Sequence, residues 1–118
     1  MKKIYCAGPL FNAKEQEEMQ EIASAFEAEG FETFLPQRDG LELCVLVEEL
    51  VGMGIPNEEA SRMLSKAIFS IDVYQVLEAC DGLILNLNGR VPDEGAISEA
   101  AMAWCADKKV VAFKNDKR

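Results

Sequence analysis

The stretch "GLILNLNGRVPDEGAISEAAMAW", Gly82 to Trp104, runs from an apolar segment through an oxygen-rich loop into a helical pattern. "GLILNL" is almost uninterrupted in apolar residues, as a strand buried on both faces requires, and Asp81-Gly82 stops whatever helix precedes it. "GAISEAAMAWCAD" reads as a helix and "KVVAF" after it as a closing strand. A buried strand that feeds a helix and then another strand is the repeating unit of a parallel sheet.

The same unit lies upstream. "KKIYCAGPL" opens with a strand from about Lys3 to Ala7, bounded by Gly8 and Pro9. Asn12 with Glu15 resembles a capping box, and Met19, Ile22, Ala23 and Phe26 recur at helical spacing until Gly30. "FETFLP", Phe31 to Pro36, reads as a second strand. "LELCVLVEELVGMG" fits a strand or a helix by periodicity alone, and its length with Glu48 and Glu49 favours helix. From Pro56 and Asn57 a long helical pattern reaches about Cys80, read as two pieces that meet near Ser70.

This alternation predicts an α/β fold: a small, doubly wound, flavodoxin- or Rossmann-like parallel sheet in the order 2-1-3-4, with helices on both faces. One domain is expected over residues 1–118, with no repeats, low-complexity segments or linkers. In such a sheet the ligand crevice lies beyond the carboxyl ends of the strands where the order reverses, between the first and third. The two unusual loops, "GPLFN" and "NLNGRVPDEG", leave those two strands.

Composition narrows the chemistry. The chain has no histidine, which excludes Ser-His-Asp and Cys-His catalysis and leaves carboxylates, tyrosine or lysine for proton transfer. Cys6, Cys44, Cys80 and Cys105 are widely spaced and read as small buried thiols, so neither a metal site nor a disulfide scaffold is expected. Acidic residues outnumber basic ones 21 to 12, a net charge of -9, so nucleic acid and acidic membranes are disfavoured as partners and a small molecule is favoured. No apolar run is long enough to span a bilayer, and the first is cut by Gly8 and Pro9, too short for a signal peptide, so a cytoplasmic location is expected.

"AGPLFNAKE" joins a strand to a helix as a phosphate loop would, yet it carries one glycine where dinucleotide and triphosphate loops need several. It reads as an ordinary turn or as a contact for a base or sugar, and no cofactor is expected. Gly8, Pro9, Leu10 and Phe11 here, with Asn88, Gly89 and Gly95 in the other loop, are the candidate substrate-binding positions.

Glu99 near the amino end of its helix is expected to be anionic at neutral pH, favoured by the helix dipole. Ala96, Ala100, Ala101 and Ala103 around it are small, so the helix can approach the sheet and turn Glu99 toward the crevice; a solvated surface glutamate is the alternative. Asp72 interrupts the apolar stripe of Ile68 and Val76. It reads either as the cap of a second helical piece or as an acid of raised pKa in the crevice. Tyr5 and Tyr74 fit the core, and a phenol at the sheet end can also orient a carboxylate.

Taken together, "KIYCAGPLFN", "DVYQVLEACDGLILNLNG" and "DEGAISEAAMAW" resemble the nucleoside 2-deoxyribosyltransferase family and its relatives that hydrolyse the N-glycosidic bond of deoxynucleotides. The spacing of Asp93, Gly95 and Glu99, D-x-G-x-x-x-E, is the most specific piece. The resemblance implies Glu99 as nucleophile, Tyr5 as the residue that positions it, and Asp72 and Asp93 as the carboxylates that hold and protonate the leaving base.

It also implies a nucleoside or nucleotide and a free nucleobase as partners, and a homodimer or larger homo-oligomer, for which Met102 and Trp104 are expected to leave the sheet-facing stripe of their helix. The chain has Ala101 and Asp107-Lys108 where the family commonly has a glycine and a Gly-Lys, and it ends at Arg118 where the transferases continue into a tail that completes a neighbour's site. Two other readings are a hydrolase of deoxynucleoside 5'-monophosphates and a nucleoside- or nucleotide-binding module without turnover.

Overall fold

In the computed structural model, which describes residues 2–40, 43–89 and 93–115 (the side chains of residues 43–45 excepted), four strands form one sheet. They are β1 (Lys3–Ala7), β2 (Glu32–Phe34), β3 (Gly82–Asn86) and β4 (Lys109–Phe113), all parallel in the order β2-β1-β3-β4. Tyr5 stands opposite Phe34 on one side and Leu83 on the other. The expected α/β class and strand order are thus both found.

Alternate residues of each strand face opposite sides and build two cores. Tyr5, Ala7, Leu83 and Leu85 pack with Val76, Ala96, Ala100 and Ala103 on one face, while Cys6 and Ile84 pack with Met19, Ala23 and Leu35 on the other. Met19, Leu35 and Val76 are at most 1% exposed, and each such burial contributes roughly 1.5–3 kcal/mol.

The helices are α1 (Ala13–Ala28), α2 (Pro36–Asp39), α3 (Leu43–Gly52), α4 (Asn57–Tyr74) and α5 (Glu94–Cys105). The cap of α1 is as the sequence suggested: Asn12 Oδ1 accepts from the Glu15 N–H at 2.9 Å, and Glu15 Oε1 accepts from the Phe11 N–H at 3.0 Å. Three helices then end alike, with one residue in the left-handed region followed by a hydrogen bond back to the last turn. Gly30 (φ 92) and Gly54 (φ 97) fill that position after α1 and α3, whereas Asp107 (φ 62) fills it after α5. There Asp107 N–H donates to the Trp104 carbonyl at 3.1 Å and Lys108 N–H to the Ala103 carbonyl at 2.9 Å.

Several expectations need correction. The long helix does not divide near Ser70: the Ser70 hydroxyl donates to the Lys66 carbonyl at 2.8 Å, absorbed within an unbroken α4. The irregularity comes later, as a π-helical turn over Gln75–Ala79 closed by Cys80 N–H to the Gln75 carbonyl at 2.8 Å. Asp72 therefore lies inside α4 and caps nothing. Tyr74 is exposed rather than core, Ala101 faces away from the sheet, and Cys105 is an exposed thiol while Cys6 and Cys80 are buried; Cys44 has its side chain outside the described residues. Trp104 does leave the sheet-facing stripe, at 72% exposed, but Met102 is partly buried against the core. Among the described residues no helix is long and apolar enough to cross a membrane.

Candidate active site

At the carboxyl ends of β1 and β3 a cavity of about 280 Å³ brings together Tyr5, Asp72, Asp93 and Glu99 with Gly8, Leu10, Phe11 and Gly95. Four separate elements deliver these groups. Tyr5 lies in β1 on the α5 face, and its ring stacks on Phe34 with centroids 5.4 Å apart and planes 19° from parallel. Its hydroxyl donates a hydrogen bond to Oε2 of Glu99. Glu99 reaches it because Ala96, Ala100 and Ala103, all buried, let α5 lie close on the sheet.

Asp93 is the N-cap of α5, and its Oδ2 accepts from the Ala96 N–H at 2.8 Å. That bond satisfies one of the orphan donors of the helix start. Gly95 leaves room for it, since a Cβ there would stand 3.3 Å from the same carboxylate oxygen. Asp72 enters from the last turn of α4, half buried, and loss of solvent lifts its carboxyl to about 6.

Glu99 is pushed up to about 7: burial is the largest cause, the Tyr5 hydrogen bond opposes it, and the charges of Asp72 and Asp93 add to it. This differs from the sequence expectation of a plainly anionic glutamate. Glu99 is the sixth residue of α5, beyond the first turn where the dipole acts most strongly, so desolvation outweighs it. Burial and the neighbouring Glu99 carboxylate raise the Tyr5 phenol far above its ordinary value, which keeps it a neutral donor.

The remaining positions named from sequence are placed differently. Pro9, Asn88 and Gly89 line a second hollow with Asn12, Lys14 and Glu18. Asn88 turns its amide to Asn115, with Nδ2 to Oδ1 at 2.7 Å, and so away from the carboxylates' cavity. Gly8 is fixed by close approach: a Cβ there would meet Met19 Sδ at 2.6 Å and Asn86 Cβ at 2.8 Å.

Cys6, Ala7 and Pro36 also line the main cavity, unanticipated from sequence. For Pro36 a signal existed, because in the order 2-1-3-4 the residue that ends the second strand borders the first loop. An apolar hollow of about 580 Å³ adjoins the cavity, sharing Leu10, Phe11, Pro36 and Asp72 and adding Ile68 and Phe69. Phe11 and Phe69, 81% and 64% exposed, stand at its wall. Among the described residues no group of three or more histidine, cysteine, aspartate or glutamate side chains is placed to hold a metal ion.

Residues 4–118 match the nucleoside 2-deoxyribosyltransferase family. Among solved structures, a 2-desoxiribosyltransferase from Leishmania mexicana superposes with a TM-score of 0.67 at 20% identity over 100% of this chain and 67% of that one. A conserved protein from Enterococcus faecalis V583 superposes with a TM-score of 0.70 at 28% identity over 98% of this chain and 65% of that one. The chain thus spans about two thirds of the length of either structure. No curated protein matches the sequence significantly.

Proposed function

This chain belongs to the nucleoside 2-deoxyribosyltransferase family, and from that premise we propose that it cleaves the N-glycosidic bond of 2'-deoxynucleosides through a covalent deoxyribosyl ester on Glu99 and passes the sugar to a second nucleobase. The observation that carries this reading is the Tyr5–Glu99 hydrogen bond at a cavity that also receives Asp72 and Asp93. The bond engages Oε2 and leaves Oε1 to act.

In the first step Oε1 of ionised Glu99 bonds to the anomeric carbon as the bond to the base nitrogen breaks, through an oxocarbenium-like state that the carboxylate stabilises. Asp72, a half-buried carboxyl lifted to about 6, gives its proton to the departing base. Asp93 is already an acceptor for the Ala96 N–H and is assigned to hold the base through its carboxylate. In the second step a new base attacks the anomeric carbon, the ester bond breaks, and the incoming base's proton passes to Asp72. Two displacements give net retention, and water in place of the second base gives hydrolysis. The apolar hollow beside Asp72, walled by Phe11 and Phe69, suits the flat faces of a nucleobase.

We assign the working protein to a homodimer or larger homo-oligomer, supported by Met53, Met63, Phe69 and Trp104 being about half exposed or more. Light scattering at micromolar concentration that shows a monomer alone overturns that assignment. The activity is tested by incubating the protein with a panel of deoxynucleosides and deoxynucleotides, with and without a second free base. Base release with formation of the new nucleoside is expected. Release without transfer makes it a hydrolase, and binding without release makes it a binding module.

A further inference from the structure

Two of the three buried polar residues among those described, Asn86 and Asn88, lie where β3 gives way to the loop toward α5. Buried amides need a full set of partners to offset their lost hydration. Asn86 Nδ2 donates to Glu18 Oε1 on α1 at 2.8 Å, and Asn86 Oδ1 accepts from the Asn88 N–H at 3.0 Å. Asn88 then meets Asn115 twice: its Nδ2 donates to Asn115 Oδ1 at 2.7 Å and its Oδ1 accepts from the Asn115 N–H at 2.9 Å. Between them Leu87 N–H continues the ladder to the Phe113 carbonyl at 2.8 Å.

This row of amides links α1, β3 and the residues after β4 at the one place where both site loops leave the sheet. Gly8 of the first loop rests on Asn86, whose amide oxygen is held by the Asn88 N–H, and Gly8 lines the cavity that receives Glu99. A hydrogen-bonded network in a buried setting holds geometry more tightly than apolar packing does. We propose that Asn88, clasped by Asn115, is a positioning residue that, through Asn86 and Gly8, sets the first loop against the cavity that holds Glu99. This rests on the reading of Glu99 given above.

The test compares wild type with Asn88→Ala, Asn115→Ala and Asn115→Asp. Asn115→Ala removes one bond at an exposed residue and keeps the fold testable where Asn88→Ala does not fold. Asn115→Asp retains both, because the carboxylate still accepts from Asn88 Nδ2 and the backbone N–H is unchanged. Asn115→Ala is expected to lower kcat about tenfold with KM within about twofold, and Asn115→Asp to restore kcat to within about twofold. An unchanged kcat in Asn115→Ala, or a loss that only follows the folded fraction, overturns the proposal. If the wild type releases no base, the glycosidic reading falls, and the clasp is judged by titrating the 13C-labelled Glu99 carboxyl. A midpoint moved by about half a pH unit or more in Asn115→Ala supports it, and coincident curves overturn it.

Discussion

The Tyr5 hydroxyl donates a hydrogen bond to Oε2 of Glu99, 94 positions further along the chain. A strand residue and a helix residue meet there because β1 and β3 are neighbours and α5 lies over both. The bond acts on the ionised glutamate, whose pKa it lowers against the larger effect of burial. Tyr5→Phe removes the donor and keeps the ring stacked on Phe34. A hydrogen bond to a charged group contributes about 1.5–3 kcal/mol, so kcat/KM is expected to fall roughly 10- to 100-fold. Because Glu99 at about 7 stands above Asp72 at about 6, raising its midpoint further moves the alkaline limb of the pH profile upward. An unshifted limb would contradict the assigned role of Tyr5.

Catalysis as proposed needs Glu99 without its proton and Asp72 with one. With Glu99 at about 7 and Asp72 at about 6, kcat/KM is expected to be bell-shaped and highest between those values. The two apparent constants belong to the coupled pair rather than to either residue. Asp72→Asn has no proton to lose and should abolish the alkaline fall, with turnover lost least for bases that leave easily. Removing its charge also lowers the Glu99 midpoint, because that charge raises it. A pH–rate series on both proteins checks this, and a surviving alkaline limb refutes the role of Asp72 as acid.

Glu99 also leaves a mark on stability. Its carboxyl rises from an ordinary value of 4.5 to about 7 on folding. The folded state binds the extra proton, so its stability is undiminished below about 4.5, declines as pH rises, and is lowest above about 7. Glu99→Gln, which keeps an acceptor for Tyr5, is expected to stabilise the protein by roughly 1–3 kcal/mol at pH 8 and to have little effect at pH 4. Thermal melts of both proteins at the two pH values decide it; an equal difference at both contradicts the burial of an ionised Glu99.

Asp107 occupies a left-handed position, φ 62, that Gly30 and Gly54 fill after α1 and α3. An L-residue there costs about 1 kcal/mol that glycine avoids, partly offset by glycine's freedom when unfolded. Asp107→Gly is expected to raise stability by about 0.5–1 kcal/mol without changing activity, as read from denaturant midpoints. A loss of stability would mean that the Asp107 carboxylate makes a compensating interaction.

How far the chain could be read in advance follows from where its signals are local. "KKIYCAGPL" and "GLILNL" announce buried strands by composition, and Asn12 with Glu15 announces a helix start, so fold class and strand order were accessible. The convergence of Tyr5, Asp72, Asp93 and Glu99 followed from that order and from the family resemblance together. What escaped was set by long-range packing. The π turn at Gln75–Ala79 leaves no periodic trace. The pKa of Glu99 depends on burial that no spacing encodes, and the turn of Asn88 toward Asn115 depends on a partner 27 residues away.

The central claim is a covalent bond between deoxyribose and Glu99. Incubation with a deoxynucleoside analogue whose second step is slow, followed by proteolysis and peptide mass spectrometry, tests it most directly. The account predicts a deoxyribosyl adduct on the peptide that contains Glu99, formed at the rate of the first base release and absent in Glu99→Gln. Base release by the wild type with no adduct on that peptide, or undiminished release by Glu99→Gln, contradicts it.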